Sequence, residues 1–385
     1  MKLPRRRFRE SALCLLASCA GLSFAPAVVA DDHPAAKRPA EETRWVDVRT
    51  LALEGQGWKD TKGPFDRFPA RAEGTVRKPV WGLSRDSAGL CVRFKSDAPK
   101  IEARWTLLSS GLALPHMPAT GVSGLDLYSK DETGRWRWLG AGRPEKFPTN
   151  TATIAGGLNP KRTREFMLYL PLYNGVTSVE LGVPAASTIE PADPRPEDRR
   201  KPVVFYGTSI TQGGCASRPG MAHVAIVGRL LDRPTINLGF SGSGTMDNSV
   251  SDLLAELDAA AYVIDCVANM TAEQVAERTQ PLVARIRKDR PNTPILLVED
   301  QTYANTPLLP NAAAFHAAKR KGLKAAYERI KAAGDRNVFY LSGDHLMGED
   351  GEGTVDGVHP TDLGFLRMAE GFAAALRPIL ESGDR

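Results

Sequence analysis

The sequence predicts a two-part α/β protein, with a doubly wound parallel sheet in the C-terminal half preceded by an antiparallel β-sandwich. Three observations predict it. From residue 203 onward, apolar runs of strand length alternate with helical patterns, as in a parallel sheet covered on both faces. Between residues 45 and 189, short β-type runs are separated by Gly, Pro and Asp clusters and long helical periodicity is absent, as in a sandwich. Between the halves lies "EPADPRPEDRRKP", residues 190–202, so rich in proline and charge that it reads as a linker joining neither sheet nor helix. With 385 residues and 42% hydrophobic content, the chain can give each half a core.

The first element is a targeting segment. Lys2, Arg5, Arg6, Arg7 and Arg9 precede an apolar stretch from Ser11 to Val29, the layout of a signal peptide over residues 1–30 with cleavage after Ala30. Gly21, Ser23 and Pro26 interrupt that stretch and argue against a membrane-spanning helix, so no integral membrane segment is expected in the mature chain. The expected destination is the periplasm or the medium. Arg5-Arg6-Arg7-Phe8 resembles a twin-arginine signal. Leu16-Ala17-Ser18-Cys19 resembles a lipoprotein box, the alternative in which Cys19 anchors the mature chain. This segment also carries most of the formal charge of +5, which leaves no basic face and excludes nucleic acid as a partner.

Strands follow at 90–94, 101–107, 124–128, 135–139, 165–170 and 177–183. All six tryptophans lie in this half, at 45, 58, 81, 105, 136 and 138. Core packing is the expected role of most. Trp136 and Trp138 are two apart and share one side of a strand, where an exposed pair could stack on sugar rings. Downstream, strands are expected at 203–206, 235–238, 261–266, 295–298 and 337–341. Helices are expected near 219–231, 248–258, 272–289, 311–333 and 361–380. Thr271 and Gln274 form a capping box, and Leu363, Leu366, Phe372 and Leu376 are assigned to one face of the last helix.

In a doubly wound sheet, reactive groups gather at the carboxyl ends of the strands. The loops there are Gly207-Thr208-Ser209, Gly239-Phe240-Ser241-Gly242, Val267-Ala268-Asn269-Met270 and, closing a long loop, Asp356-Gly357-Val358-His359-Pro360. A serine hydroxyl needs a base to take its proton, a part His359 can play. That imidazole needs a carboxylate on Nδ1 to fix its tautomer, and Asp356 lies three residues before it. A developing oxyanion needs preformed donors. The Gly239 N–H, the Asn269 amide and the Ser209 N–H at a helix start can supply them.

These residues resemble a known family. Gly207-Thr208-Ser209-Ile210-Thr211, Gly239, Asn269 and Asp356-x-x-His359 are similar to the four signature blocks of the SGNH (GDSL-type) hydrolases, in that family's order, over residues 203–380. The resemblance implies a flavodoxin-like domain over 203–385 and ester hydrolysis through Ser209, Asp356 and His359. It further implies an oxyanion hole of Ser209, Gly239 and Asn269, and neither metal nor organic cofactor. Thr208 departs from the Asp of many members, and Met270 stands where Asp is frequent after the Asn, so substrate contacts differ. Gly124-Leu125-Asp126-Leu127-Tyr128 resembles the GxDLY segment of a β-domain that precedes some of these hydrolases, a pairing found among exported bacterial enzymes. Several of those resemble carbohydrate esterases.

The expectation is an exported serine esterase for small acyl esters, above all O-acetyl groups on a carbohydrate. A lipid esterase or thioesterase would use the same machinery, and a glycan-binding protein with a silent site is the non-enzymatic alternative. His345 is a rival base, but its adjacent Asp344 side chain would diverge from it. His116, His223 and His316 have no acidic or cysteine partner at ligand spacing and are expected to be structural or surface histidines, and no CxxC or paired Cys/His spacing supports zinc. Cys91, Cys215 and Cys266 remain in the mature chain, and an oxidising compartment permits one disulfide, Cys215 to Cys266. Buried thiols are the alternative. The loops 300–310 and 342–358 are polar, which predicts a shallow cleft and short acyl chains.

Overall fold

Two antiparallel sheets face each other over the upstream half. Their strands are β1 (Thr43–Asp47), β2 (Ala52–Glu54), β3 (Cys91–Ser96), β4 (Ile101–Leu107), β5 (Leu125–Lys130), β6 (Trp136–Gly142), β7 (Thr149–Ala155), β8 (Arg164–Tyr169), β9 (Val176–Pro184) and β10 (Ile189–Pro191). One sheet runs β1-β9-β4-β7 and the other β10-β3-β8-β5-β6, with β2 beside β3. The computed structural model describes residues 42–383. The expected signal peptide and Cys19 therefore lie outside the described residues.

Alternation builds the sandwich. In β4, Ile101, Ala103, Trp105 and Leu107 are buried while Glu102, Arg104 and Thr106 are partly exposed. The buried set meets Phe94, Phe166 and Leu181 between the sheets. The Trp105 indole donates to the Ser123 carbonyl at 3.1 Å, so its polar atom is satisfied. β1 and β7, which the sequence pattern misses, are edge strands, each paired with a single neighbour. β7 reads Thr-Asn-Thr-Ala-Thr-Ile-Ala, too polar for a hydrophobic alternation to show.

The supposed linker does join a sheet, which corrects the sequence reading. Ile189–Pro191 pairs with β3 along its outer edge, a place where proline's missing N–H costs no ladder bond. Arg195 is buried and ion-paired to Glu54 (2.9 Å) and Asp232 (3.1 Å), so the charges fasten the segment rather than solvate it. The halves also share buried side chains. Trp58, Phe68, Ala72, Val76 and, from α1 (Lys78–Ser84), Val80 pack with Val204, Tyr206, Ile236 and Phe240. On the opposite face, Met117, Leu172 and Val122 of α2 (Ala119–Val122) pack with Val203, Phe205 and Ile210.

The downstream half is a five-stranded parallel sheet of β11 (Val203–Gly207), β12 (Thr235–Gly239), β13 (Ala261–Asp265), β14 (Ile295–Val298) and β15 (Val338–Leu341). Its order, β12-β11-β13-β14-β15, is the flavodoxin-like one, which puts the topological switch point beside β11. The helices are α3 (Ser209–Gln212), α4 (His223–Leu231), α5 (Asn248–Glu256), α6 (Ala272–Asp289), α7 (Pro310–Ala332) and α8 (Asp362–Gly383). Helices α5, α6 and α7 cover one face, α4 and α8 the other. The capping box of Thr271 and Gln274 forms as expected. The face assigned to α8 is partly wrong. Leu363 and Leu366 are exposed, and Phe365 and Met368 join Phe372 and Leu376 in the core. Leu363 lies nine residues from Phe372, half a turn out of phase.

Candidate active site

The site is built on the first strand end. β11 stops at Gly207, and the Thr208 hydroxyl caps α3 by accepting the Ile210 N–H at 3.3 Å, which sets Ser209 at the first position of a one-turn helix. That helix lies directly on the sheet edge. A Cβ on Gly239 would sit 2.1 Å from the Gln212 nitrogen, and one on Gly207 2.0 Å from Thr211 Oγ1, so both positions require glycine.

The Ser209 hydroxyl is 2.9 Å from His359 Nε2. On the other side of the ring, His359 Nδ1 is 2.7 Å from Asp356 Oδ2. Asp356 Oδ1 accepts the backbone N–H groups of Val358 (3.0 Å) and His359 (2.8 Å), and the Val355 N–H returns to the His359 carbonyl at 2.8 Å. The turn therefore holds ring and carboxylate in one plane of contacts. Burial alone would raise the Asp356 carboxyl, but the hydrogen bonds from the His359 and Val358 N–H groups and the His359 ring outweigh it and hold it below the usual range. Ser209 is 7% exposed and the His359 side chain 22%, so the pair opens to solvent.

The expected oxyanion donors differ in readiness. The Gly239 N–H already donates to Asn237 Oδ1 at 2.9 Å. Asn269 accepts the Gly244 N–H through Oδ1 at 3.3 Å, and its amide N–H groups have no hydrogen-bond partner among the described residues.

Sequence reasoning missed the residues that brace these loops. Arg67, fully buried, donates to the Gly239 carbonyl at 2.7 Å and the Asn237 carbonyl at 3.1 Å. Burial pulls its guanidinium down to about 10, still charged at neutral pH. Gln212 donates to Asp86 (2.9 Å) and the Leu172 carbonyl (3.1 Å) and accepts the Ser241 N–H (3.0 Å). Thr211 donates to Asp265 at 3.0 Å. Burial pushes the Asp86 and Asp265 carboxyls each up to about 7. Arg67 lies in a Gly- and Pro-punctuated stretch ahead of the first expected strand, with Arg71 and Arg77 nearby, so it carries no local signal of such a role.

Asp126 and Tyr128 of the GxDLY segment grip the chain that follows α3. Asp126, fully buried, accepts from Arg218 Nη1, the Gly220 N–H and the Trp138 indole, each at 2.8 Å, and Tyr128 Oη lies 2.5 Å from Arg218. Trp138 is 52% exposed, with the Arg218 guanidinium 5.0 Å from its ring, while Trp136 is partly buried.

One expectation about side chains is corrected, and two histidines have neighbours that sequence spacing does not show. Cys215 and Cys266 are free thiols, as is Cys91. Cys266 packs in the core with Tyr206 and Val267, whereas Cys215 lies beside His116 and His359. Burial pushes the Cys215 thiol up to about 12, aided by Asp356. His116 thus has a cysteine neighbour, and its ring is 5.6 Å from that of His359. His316 has an acidic partner, Asp300, at 2.5 Å, which Lys319 also meets in a buried cluster. These contacts join residues far apart in sequence, where ligand spacing has nothing to read. His345 pairs with Glu349 at 2.5 Å and is exposed, while the partner of Ser209 is His359. A cavity of about 230 Å³ opens between loops 302–307 and 344–354, lined by Tyr303, Pro307, Asp344, His345, Met347 and Thr354 among others.

Comparison with known proteins bears on both halves. Residues 200–377 match the model of the GDSL-like lipase/acylhydrolase family, and residues 43–189 match GxDLY, the N-terminus of SGNH-hydrolase-type esterases. A protein from Bacteroides ovatus described as a GDSL-like lipase is 32% identical, with a TM-score of 0.83 over 88% of this chain and 98% of that one. The salicylyl-acyltransferase SsfX3 of a tetracycline biosynthetic pathway is 18% identical, with a TM-score of 0.69 over 88% and 97%. An acetyl xylan esterase from Butyrivibrio proteoclasticus is 11% identical, with a TM-score of 0.53 over 88% and 99%, and like the acyltransferase shares the fold. No curated protein matches the sequence.

Proposed function

For a chain that belongs to the GDSL-like lipase/acylhydrolase (SGNH) family of carboxylic ester hydrolases, we propose an exported serine esterase that removes small acyl groups, above all O-acetyl, from a carbohydrate. The observation that carries this reading is the unbroken hydrogen-bonded path from Ser209 through His359 to Asp356 at a solvent-open strand end. Ser209 Oγ attacks the ester carbonyl as His359 Nε2 takes its proton. Asp356 holds the ring and stabilises the imidazolium. The Asn269 amide, the Ser209 N–H and the Gly239 N–H receive the negative oxygen. His359 then returns the proton to the leaving alcohol, and water releases the acyl group by the same steps in reverse. No residue in this sequence of steps calls for a metal or organic cofactor.

The carbohydrate choice is supported by the polar character of loops 300–310 and 342–358 at the strand ends and by a fold that an acetyl xylan esterase also uses. Export is supported by the basic and apolar N-terminal residues. Among the described residues no helix is long and apolar enough to cross a membrane. A lipid esterase is the second reading. It draws on Leu308 and Leu309, 82% and 47% exposed in the loop that follows β14.

The test is acetate release from acetylated xylan, mannan and pectin fragments by the mature protein and by Ser209→Ala. The variant should lose turnover and keep the wild-type melting midpoint, because the hydroxyl supplies a covalent step and little packing. Wild-type release by Ser209→Ala would sink the assignment.

A further inference from the structure

We infer that the mouth of this site binds a thiophilic divalent cation, Zn²⁺ foremost, through His116, Cys215 and His359, and that the bound ion switches hydrolysis off. The inhibitory half rests on the reading of His359 as the base. The binding half rests on geometry alone.

One ligand atom from each of the three residues lies within 4.8 Å of the other two. They come from three separate stretches of chain, and each is held in place. His116 sits in a tight turn closed by two bonds between Leu114 and Met117, at 3.0 and 3.1 Å. Met117 is buried in the core shared with Leu172, Ile210 and Ala216, so the turn is pinned while His116 itself stays exposed. Cys215 follows α3 with φ of +74°, the left-handed region that favours glycine. Its thiol makes no hydrogen bond among the described residues. A non-glycine residue kept in that conformation marks a placement imposed by its surroundings.

His359 completes the set. Its Nδ1 is occupied by Asp356, which leaves Nε2 as the ligand atom. A carboxylate on the far nitrogen is the arrangement that orients metal-bound imidazoles. Two imidazoles and one thiolate suit Zn²⁺, and three protein ligands leave a fourth tetrahedral position for water or Ser209 Oγ. On binding, the cysteine gives its proton to solvent and the thiolate binds the ion. The Nε2 lone pair then lies on the metal, and the proton of Ser209, 2.9 Å away, has no acceptor.

In chelator-free buffer, micromolar Zn²⁺ should inhibit the mature protein and EDTA should restore it. His116→Ala and Cys215→Ser should hydrolyse ester normally without the ion and raise the half-inhibitory Zn²⁺ concentration about ten-fold or more. His116 is exposed, so its variant tests the site even if Cys215→Ser folds poorly. Binding is read separately from turnover with Co²⁺, which should give a thiolate charge-transfer band in wild type that Cys215→Ser loses. Equal Zn²⁺ sensitivity in wild type and His116→Ala would overturn the site, as would the lack of a cobalt–thiolate band. A cobalt band with undiminished hydrolysis would overturn the switch.

Discussion

Asn269 and Gly239 stand on opposite sides of one requirement, a donor that waits for charge. The Gly239 N–H is already engaged by Asn237, so in the proposed mechanism it would have to share its proton with the oxyanion. The Asn269 amide has no such prior claim among the described residues. Asn269→Ala should therefore lower kcat by roughly 10²–10³ while KM changes little. Steady-state kinetics on a short-chain ester checks this, and a pure KM effect would make Asn269 a residue that binds the neutral ester instead. These two residues and Ser209, Asp356 and His359 can be proposed from the sequence because each sits at a strand end in a short list of loops. Arg67 and His116 cannot. The site loops they meet lie in the other half of the chain, so nothing local distinguishes them from surface side chains.

At the scale of elements, β13 ends in a carboxyl that resists ionisation. Burial raises Asp265 to about 7, with the Thr211 hydroxyl only partly offsetting it. In the unfolded chain the same group titrates near about 3.9. Between those values the folded protein holds a proton that the unfolded chain has lost, so stability falls as pH rises from about 4 to about 7 and levels off above. Asp86 acts in the same sense. Asp356 acts in the opposite one, because its lowered carboxyl contributes stability that is lost as pH falls through its folded value. Asp265→Asn should therefore melt closer to wild type at about pH 5 than at about pH 8, where the variant is the more stable. Parallel pH–midpoint curves for the two proteins would show that Asp265 ionises freely in the fold. The parallel strands and their helices were readable because buried strands are continuous apolar runs. Edge strands such as β7 and β10 were not, since a strand paired on one side can stay polar or carry proline.

For the molecule as a whole, the size of the acyl group decides between the two substrate readings. The loops 300–310 and 342–358 beside the strand ends are mostly polar, which favours a short acyl group. p-Nitrophenyl acetate should be hydrolysed with much higher kcat/KM than the octanoate, and the palmitate hardly at all. A matching apolar channel would add up to about 0.8 kcal/mol per methylene. Efficiency that climbs steadily with chain length would show an apolar acyl channel and move the lipid esterase to first place. The buried side chains common to both halves carry one more consequence. Phe68 and Val80 lie against the same sheet face as Val204, and Arg67 holds the Gly239 carbonyl. A recombinant chimera spliced at residue 202, with this sandwich joined to a relative's catalytic half, would inherit mismatched surfaces on both sides of the seam. Loss of Arg67 would leave the Asn237 and Gly239 carbonyls without its guanidinium whatever side chains residues 237–240 carry, so the catalytic half borrows part of its loop support from the sandwich half.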